Sequence, residues 1–156
     1  KGVNTAAFES VYNNSLKLSP GAKELINFFK SISVKSAIIS GGLSYFAERL
    51  HKSLGVDTFR ANNVEVTNNS LTGAVLGKVI DANEKANYIN ELCSLYQLKR
   101  EQVIAIGDGA NDLQMMKIAG VSVAYHAKPI LQKNCDVIIN YGGLDSVIDF
   151  FEEDGY

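Results

Sequence analysis

The stretch that most restricts the fold of this chain is residues 103–112, where an apolar run is followed at once by glycines and carboxylates. The run Val-Ile-Ala-Ile at 103–106 predicts a buried strand, and Gly-Asp-Gly-Ala-Asn-Asp follows it at 107–112. Glycine permits backbone angles and a close approach that a side chain would block. Because a buried carboxylate needs a partner, we expect a polar site at the end of this strand.

Two interpretations of Asp108 and Asp112 follow from the residues alone. A hard cation such as Mg²⁺ binds carboxylate oxygens and keeps water or phosphate in its other positions. Alternatively, Asn111 or Asp112 is the N-cap of a helix at 113–119. Capping explains one polar residue but not the whole cluster, which favours the cation site. A calcium loop fits poorly because its D-x-[DN]-x-[DN]-G spacing is absent.

Strands alternate with helices along the whole chain, a pattern typical of an α/β protein. The predicted strands are 34–39, 57–61, 64–67, 71–75, 103–106, 121–125 and 137–139. The predicted helices are 4–15, 20–31, 43–54, 83–98, 113–119 and 144–151, with a short helical turn after Pro129. Strands rich in Val and Ile between helices indicate a mainly parallel sheet covered on both faces. In such sheets, ligands bind outside the carboxyl ends of the strands.

Three local patterns indicate where elements begin or turn. Ser19 before Pro20 predicts a helix start, with serine as N-cap and proline in the first turn. Asn83 is placed to cap the helix at 83–98. Asn-Asn-Ser at 68–70, between two alternating segments, predicts a β-hairpin that could pack against a cap domain or support a homodimer.

A second polar segment, Ser-Gly-Gly at 40–42, follows the predicted strand 34–39. The hydroxyl of Ser40 and free backbone N–H groups from Gly41 onward at a helix start would form an anion site. The alternative is an N-cap followed by a tight turn, and the residues alone do not decide between them. A nucleophilic serine is not expected, because Gly-x-Ser-x-Gly fails at Ile38.

Lys85 is the third candidate, at the start of the predicted helix 83–98. Most lysines are solvated surface groups, and that interpretation stays open for this one. A cation near a helix N-terminus is unfavourable unless an anion offsets it, which favours a functional role. Lys128 and His126, behind the strand 121–125, are weaker candidates for the same role.

Composition excludes several classes of function. The formal net charge is −2 with both signs scattered, so nucleic acid and membrane surfaces are not expected partners. No apolar stretch approaches the length of a membrane span. Cys93 and Cys135 share no metal spacing and are predicted to be free thiols, which favours a cytoplasmic protein.

Taken together, these segments resemble motifs of the haloacid dehalogenase (HAD) superfamily and, within it, of the phosphoserine phosphatases. Residues 38–42, Ile-Ile-Ser-Gly-Gly, resemble the second motif of the family, and Lys85 resembles the lysine of its third motif. Residues 107–113 resemble the fourth motif, which P-type ATPases share in a similar form. The segment Ala-Tyr-His-Ala-Lys-Pro at 124–129 is similar to the phosphoserine phosphatase branch. The resemblance extends over essentially the whole chain.

The resemblance implies a fold and a reaction. The implied fold is a HAD-type, Rossmann-like three-layer α/β sandwich with a mainly parallel sheet and a β-hairpin insertion. Residues 1–17 would be the remnant of a helical cap and residues 18–156 the hydrolase core. The implied reaction is Mg²⁺-dependent hydrolysis of O-phospho-L-serine through an aspartyl-phosphate.

The resemblance also implies a role for each candidate residue. Asp108 would bind Mg²⁺, and Lys85 and Asp112 would be catalytic. The residues that would bind the substrate phosphate are Ser40, Gly41, Lys85 and Asn111.

The first motif of the family, Asp-x-Asp, does not occur in the 156 residues. Its first aspartate is the nucleophile, its second is the general acid/base, and its strand would pair between the strands that end at Ser40 and Asp108. We therefore predict that this sequence is the C-terminal part of a phosphatase and is inactive alone. The alternatives are another small-molecule phosphatase of the superfamily, or a fragment that binds phosphate or Mg²⁺ without catalysis.

Overall fold

The computed structural model describes residues 1–152, which form two compact units, Lys1–Ile80 and Asp81 onward. Parallel strands and helices occur in both units, so the predicted α/β class is confirmed. The predicted boundary after residue 17, between the remnant of a cap and the hydrolase core, stays a prediction. Within residues 1–152, no helix combines the length and apolar character needed to cross a membrane.

The first unit is built around a three-stranded sheet in the order β1-β2-β3. β1 is parallel to β2, and β3 is antiparallel to it. β2 is a single strand that covers both segments predicted at 57–61 and 64–67, because parallel pairing with β1 passes directly into the hairpin with β3. The elements are α1 (Ala6–Asn14), α2 (Ala22–Ser31), β1 (Ala37–Leu43), α3 (Ser44–Leu54), β2 (Thr58–Thr67) and β3 (Ser70–Leu76).

The predicted hairpin is confirmed. Thr67 pairs with Ser70, and Asn68 and Asn69 between them have φ of 50° and 58°. Two consecutive positive φ values are the requirement of a type I′ turn, and asparagine tolerates them better than most residues. The turn chemistry at these two positions therefore explains where the strand reverses.

The start of α2 differs from the prediction that Ser19 caps it. The N–H of Ala22 donates to the carbonyl of Ser19 at 3.2 Å, and Gly21 between them has φ of +74°. Proline at the second position of a turn and glycine with positive φ at the third are typical of a type II turn. Pro20 therefore belongs to a turn, and the helix begins only at Ala22.

α1 packs on α3 through an aromatic cluster. Phe8 is buried, and its ring lies 5.0 Å from Tyr45 and 5.9 Å from Phe46 between centroids. The guanidinium of Arg49 lies 3.8 Å from the centroid of the Tyr45 ring, a cation–π distance. This cluster attaches the N-terminal helix to the sheet-covering helix α3.

The second unit has a fully parallel sheet in the order β4-β5-β6. Its elements are α4 (Ala82–Tyr96), β4 (Ile104–Gly107), α5 (Leu113–Met116), β5 (Val121–Tyr125), α6 (Pro129–Gln132), β6 (Val137–Ile139) and α7 (Asp149–Glu152). Short 3-10 turns lie at Arg100–Gln102, Ala110–Asp112 and Leu144–Val147. The core centres on Val123, Leu131 and Val147, whose side chains are fully buried.

Three predicted helices of this unit differ from the structure. The helix predicted at 144–151 is divided into the 3-10 turn Leu144–Val147 and α7. Asp81, not Asn83, caps α4, since its Oδ1 accepts a hydrogen bond from the N–H of Glu84 at 2.8 Å. α5 ends at Met116 rather than at residue 119. Gly120, four residues beyond the end of α5, lies against the backbone of Glu101, where a Cβ atom has no room.

A carboxylate ties the starts of two neighbouring strands of the second sheet. Oδ2 of Asp136, just before β6, accepts from the hydroxyl of Ser122 at 2.6 Å and from its N–H at 2.8 Å. The Ser122 hydroxyl in turn accepts from the N–H of Asp136 at 3.0 Å. These bonds from Ser122 hold the pKa of Asp136 below its ordinary value of 3.8.

The lowered pKa predicts how stability depends on pH. In the unfolded chain the carboxyl of Asp136 titrates at its ordinary pKa, so its stabilising effect is complete above that value and is lost as the pH falls through the folded pKa. We expect Asp136→Asn to lower the free energy of unfolding at about pH 7 but to have little effect well below its ordinary pKa. Urea unfolding of both proteins across this range is the measurement, and a loss that does not change with pH contradicts the prediction.

Candidate active site

The centre of the candidate site in the second unit is a buried ion pair between Lys85 and Asp112. Nζ of Lys85, in α4, lies 2.6 Å from Oδ1 of Asp112, and the two residues are only 5% and 3% exposed. A buried ion pair persists only when further hydrogen bonds satisfy its remaining atoms. Lys85 is therefore not a solvated surface lysine.

Asp112 uses its second oxygen to hold the turn that follows β4. Its Oδ2 accepts from the N–H of Asp108 at 3.1 Å and from the N–H of Gly109 at 3.2 Å. A Cβ atom on Gly107 would lie 2.6 Å from this oxygen, so glycine is required for the close approach. Asp112 does occupy the N-cap position of α5, but its side chain makes no cap hydrogen bond to that helix. Its oxygens bind Lys85 and the preceding turn instead.

Asp108 presents the exposed carboxylate of this turn. Its backbone is held at both ends, by Asp112 at the N–H and by the N–H of Lys128, which donates to its carbonyl at 2.9 Å. Among residues 1–152, no group donates a hydrogen bond to its carboxylate oxygens. Nor does this part of the chain contain a group of three or more His, Cys, Asp or Glu side chains that could enclose a metal ion.

An exposed carboxylate on a turn held by backbone hydrogen bonds fits Mg²⁺ better than most metals. Mg²⁺ keeps several waters and is commonly bound through one or two carboxylates together with substrate phosphate. Zn²⁺ structural sites, by contrast, need four protein ligands with nitrogen or sulfur donors. The donor set around Asp108 therefore matches a hard cation that shares its coordination with solvent and substrate.

Asn111 lies in the 3-10 turn Ala110–Asp112 and is exposed. Its Oδ1 lies over Gly109, where a Cβ atom would be only 2.7 Å away. The absence of a side chain at Gly109 thus leaves room for the amide. In the second unit, hydrogen bonds connect Lys85, Asp112 and the backbone of Asp108, and Asn111 lies in the same turn.

In the first unit, Ser40 and Gly41 lie in a bulge of β1. The pairing with β2 runs from Ile39–Arg60 directly to Leu43–Asn62, so three residues of β1 bulge out of the regular ladder. The N–H of Gly42 donates to Oγ of Ser40 at 3.0 Å. The hydroxyl hydrogen of Ser40 remains available as a donor.

This arrangement corrects the expectation that Ser40 lies at a helix start. α3 begins four residues later, at Ser44, with Leu43 in the N-cap position. The strand runs through the bulge to Leu43 instead of ending at residue 39. The segment is therefore a strand bulge with a serine turn, and whether it binds an anion stays a prediction.

Asn62 is a residue of this unit that the sequence analysis missed. It is 8% exposed, its Nδ2 donates to the carbonyl of Gly41 at 2.7 Å, and its Oδ1 accepts from the N–H of Ile80 at 2.8 Å. Asn62 therefore fixes the backbone of the bulge. The sequence signal for Asn62 is a polar residue inside a strand. This signal is hard to recognise because an asparagine pair, here at 62–63, is also typical of turns.

Lys128 and His126 take part mainly through their backbones. The N–H of Lys128 holds the Asp108 carbonyl, while its exposed side chain makes no hydrogen bond within residues 1–152. His126 has φ of +45°, its N–H donates to the carbonyl of Ile139, and its Nε2 lies 3.0 Å from the carbonyl oxygen of Gly142. Both residues shape the loop after β5.

Comparison with known proteins gives a consistent result. The sequence model of haloacid dehalogenase-like hydrolases matches residues 2–117. Phosphoserine phosphatase of Polaromonas sp. is 42% identical over 153 residues, which cover 96% of this chain and 65% of that protein. The chain thus spans less than two thirds of the length of this relative.

Solved structures agree with this match. A probable phosphoserine phosphatase from Vibrio cholerae, unliganded, superposes with a TM-score of 0.90 at 36% identity, covering 95% of this chain and 46% of the other. A phospho-aspartyl intermediate analogue of phosphoserine phosphatase gives a TM-score of 0.91 at 31% identity, covering 96% of this chain and 71% of the other. On the strength of the sequence match and these structures, the chain belongs to the haloacid dehalogenase-like hydrolase family.

Proposed function

We propose that this chain is part of a phosphoserine phosphatase, which hydrolyses O-phospho-L-serine to L-serine and phosphate. The observation that carries the proposal is the buried Lys85–Asp112 pair, joined by two backbone hydrogen bonds to the turn that presents Asp108. The relatives that share most of this chain are named phosphoserine phosphatases. Their names favour phosphoserine over other small phosphomonoesters as the substrate.

In the second unit, we assign phosphate binding to Lys85 and Asn111. Asp112 holds the ammonium of Lys85 through one bond, which leaves its other protons for phosphate oxygens. The exposed amide of Asn111 can donate to the same class of acceptor. Asp112 itself is a positioning group, because both of its oxygens are already engaged.

In the first unit, we assign phosphate binding to Ser40 and Gly41. The Ser40 hydroxyl donates one hydrogen bond, and the glycine backbone of the bulge can approach an oxyanion closely. Preorganised donors of this kind stabilise the charge that develops on a transferring phosphoryl group. Asn62 supports them by fixing the carbonyl of Gly41.

Asp108 is the residue we assign to Mg²⁺. When bound, Mg²⁺ would supply positive charge against the phosphate oxygens. The nucleophilic aspartate implied by the family's aspartyl-phosphate chemistry is not among the 156 residues.

The free thiols Cys93 and Cys135 favour a reducing compartment, and the cytoplasm is the location we propose. A homodimer through the hairpin of β2 and β3 also stays a proposal.

The test is phosphate release by the full-length protein that carries this sequence. We expect Mg²⁺-dependent hydrolysis with kcat/KM for O-phospho-L-serine at least about tenfold above that for O-phospho-L-threonine or a sugar phosphate, a difference of about 1.4 kcal/mol in transition-state binding. Equal values across the panel would indicate a phosphatase of different or broad specificity.

The 156-residue chain alone is the control for this experiment. It contains no Asp-x-Asp sequence, so we expect no hydrolysis above the Mg²⁺ blank. Detectable Mg²⁺-dependent turnover by this chain would require another nucleophile and would contradict the assignment. Retained phosphate binding without turnover in the full-length protein would instead support a non-catalytic relative.

A further inference from the structure

Gln132, at the end of α6, makes two hydrogen bonds that the proposed reaction does not use directly. Its Nε2 donates to the carbonyl of Ala127 at 2.7 Å and to Oδ1 of Asn140 at 2.9 Å. Both partners are acceptors, so both hydrogens of the amide are engaged. Gln132 thereby connects the loop after β5 with the loop after β6.

The carbonyl that Gln132 holds belongs to a peptide unit that also contacts the Asp108 turn. Ala127 contributes the C=O of this peptide and Lys128 contributes its N–H. That N–H donates to the carbonyl of Asp108 at 2.9 Å. The plane of the peptide 127–128 is therefore fixed on both sides, by a side-chain donor and by a backbone acceptor.

The same pattern repeats one step further along. The Asp108 carbonyl belongs to the peptide whose N–H is that of Gly109, and this N–H donates to Oδ2 of Asp112 at 3.2 Å. Oδ1 of Asp112 then accepts from Lys85 at 2.6 Å. A continuous series of hydrogen bonds thus runs from the Gln132 amide through two peptide units to the buried ion pair.

In this series, every donor from Gln132 to Gly109 points toward the Asp112 carboxylate. Hydrogen bonds arranged in a chain polarise one another, so each strengthens the next. We infer that Gln132 is a positioning residue, which holds the turn of Asp108 and Asp112 in its metal- and phosphate-binding geometry through the peptides 127–128 and 108–109. The inference rests on the proposed assignment of Mg²⁺ to Asp108.

Three substitutions separate the donor from the rest of the side chain. Gln132→Met keeps the length but removes the donor, Gln132→Glu places a carboxylate against two acceptor oxygens, and Gln132→Lys keeps a donor. The matched control is Gln114→Met, since Gln114 is exposed in α5 of the same unit.

The measurements are Mg²⁺ binding to the full-length protein by calorimetry and amide hydrogen exchange at Lys128 and Gly109. We expect Mg²⁺ affinity to fall roughly tenfold in Gln132→Met, the lower end for groups that support a metal ligand from outside its coordination shell. The Mg²⁺ affinity of Gln132→Glu should fall further, while the affinities of Gln132→Lys and Gln114→Met should stay near that of the wild type. Exchange at both amides should accelerate in the Met and Glu variants.

The outcomes distinguish this inference from the proposed function. If the wild-type protein binds no Mg²⁺, the metal assignment fails, and unchanged exchange at Lys128 and Gly109 in Gln132→Met would overturn the positioning role as well. If the wild type binds Mg²⁺ and Gln132→Met binds it equally well, the positioning role alone is overturned. A lower melting temperature with unchanged Mg²⁺ affinity also overturns it. If Gln132→Met fails to fold, the Mg²⁺ affinities of the Lys and Glu variants are compared instead. A higher affinity of the Lys variant supports the positioning role, and equal affinities overturn it.

Discussion

Replacing Lys85 with methionine is expected to lower the free energy of unfolding by about 3–5 kcal/mol in metal-free buffer. The loss arises because Asp112, 3% exposed, would be left in the interior without its partner at 2.6 Å. Methionine has a similar volume, so the loss reflects the charge rather than a cavity. Urea unfolding of the wild type and the variant gives the difference directly.

The matched control is Lys52→Met. Lys52 forms an ion pair of the same 2.6 Å length with Glu48, but these side chains are 69% and 51% exposed. Exposed pairs contribute about 0–1 kcal/mol, so this variant should stay near the wild type. Equal losses for the two lysines would show that the Lys85–Asp112 pair is not a buried charge pair in solution.

Asp108→Asn is expected to reduce Mg²⁺-dependent hydrolysis by the full-length protein by more than about 100-fold. Substitution of groups that only support a metal ligand already costs about 10- to 100-fold, and a direct ligand should exceed that. The amide keeps the shape of the side chain and leaves the N–H bond to Asp112 in place. The measurement is kcat as a function of Mg²⁺ concentration, with Asp145→Asn, an exposed acidic residue of the same unit, as control.

A smaller loss of hydrolysis in Asp108→Asn would contradict the assignment of Asp108 to Mg²⁺. If activity falls less than about tenfold and the half-saturating Mg²⁺ concentration is unchanged, Asp108 is not a ligand. The reaction would then use carboxylates elsewhere in the full-length protein.

Much of the fold could be predicted from the sequence because its signals are local. The run at 121–125 and the segment 137–139 were predicted to the residue, since Val and Ile next to turn residues define short buried strands. The asparagines 68 and 69 indicated the hairpin for an equally local reason, their tolerance of positive φ. Helix starts were less predictable, because aspartate and asparagine are both good caps, and in the structure Asp81 rather than Asn83 caps α4.

The site shows the same division. Asp108 and Asp112 could be found because carboxylates next to an apolar strand need partners. Lys85 could be found because a cation near a helix N-terminus needs an anion to offset it. The separate roles of the two aspartates could not be predicted from the sequence. They depend on Asp112, which accepts hydrogen bonds from Lys85 on one oxygen and from two backbone N–H groups on the other. The roles of Asn62 and Gln132 could not be predicted for a related reason: their side chains bind backbone atoms of other segments of the chain.

The most direct test of the central claim is calorimetric titration of Mg²⁺ into the full-length protein and its Asp108→Asn and Asp145→Asn variants. If the turn after β4 binds the cation, the wild type and Asp145→Asn will bind Mg²⁺ alike, and Asp108→Asn will show no measurable binding at the same concentrations. Equal binding by all three proteins would contradict the account, because the cation would then reside on other residues.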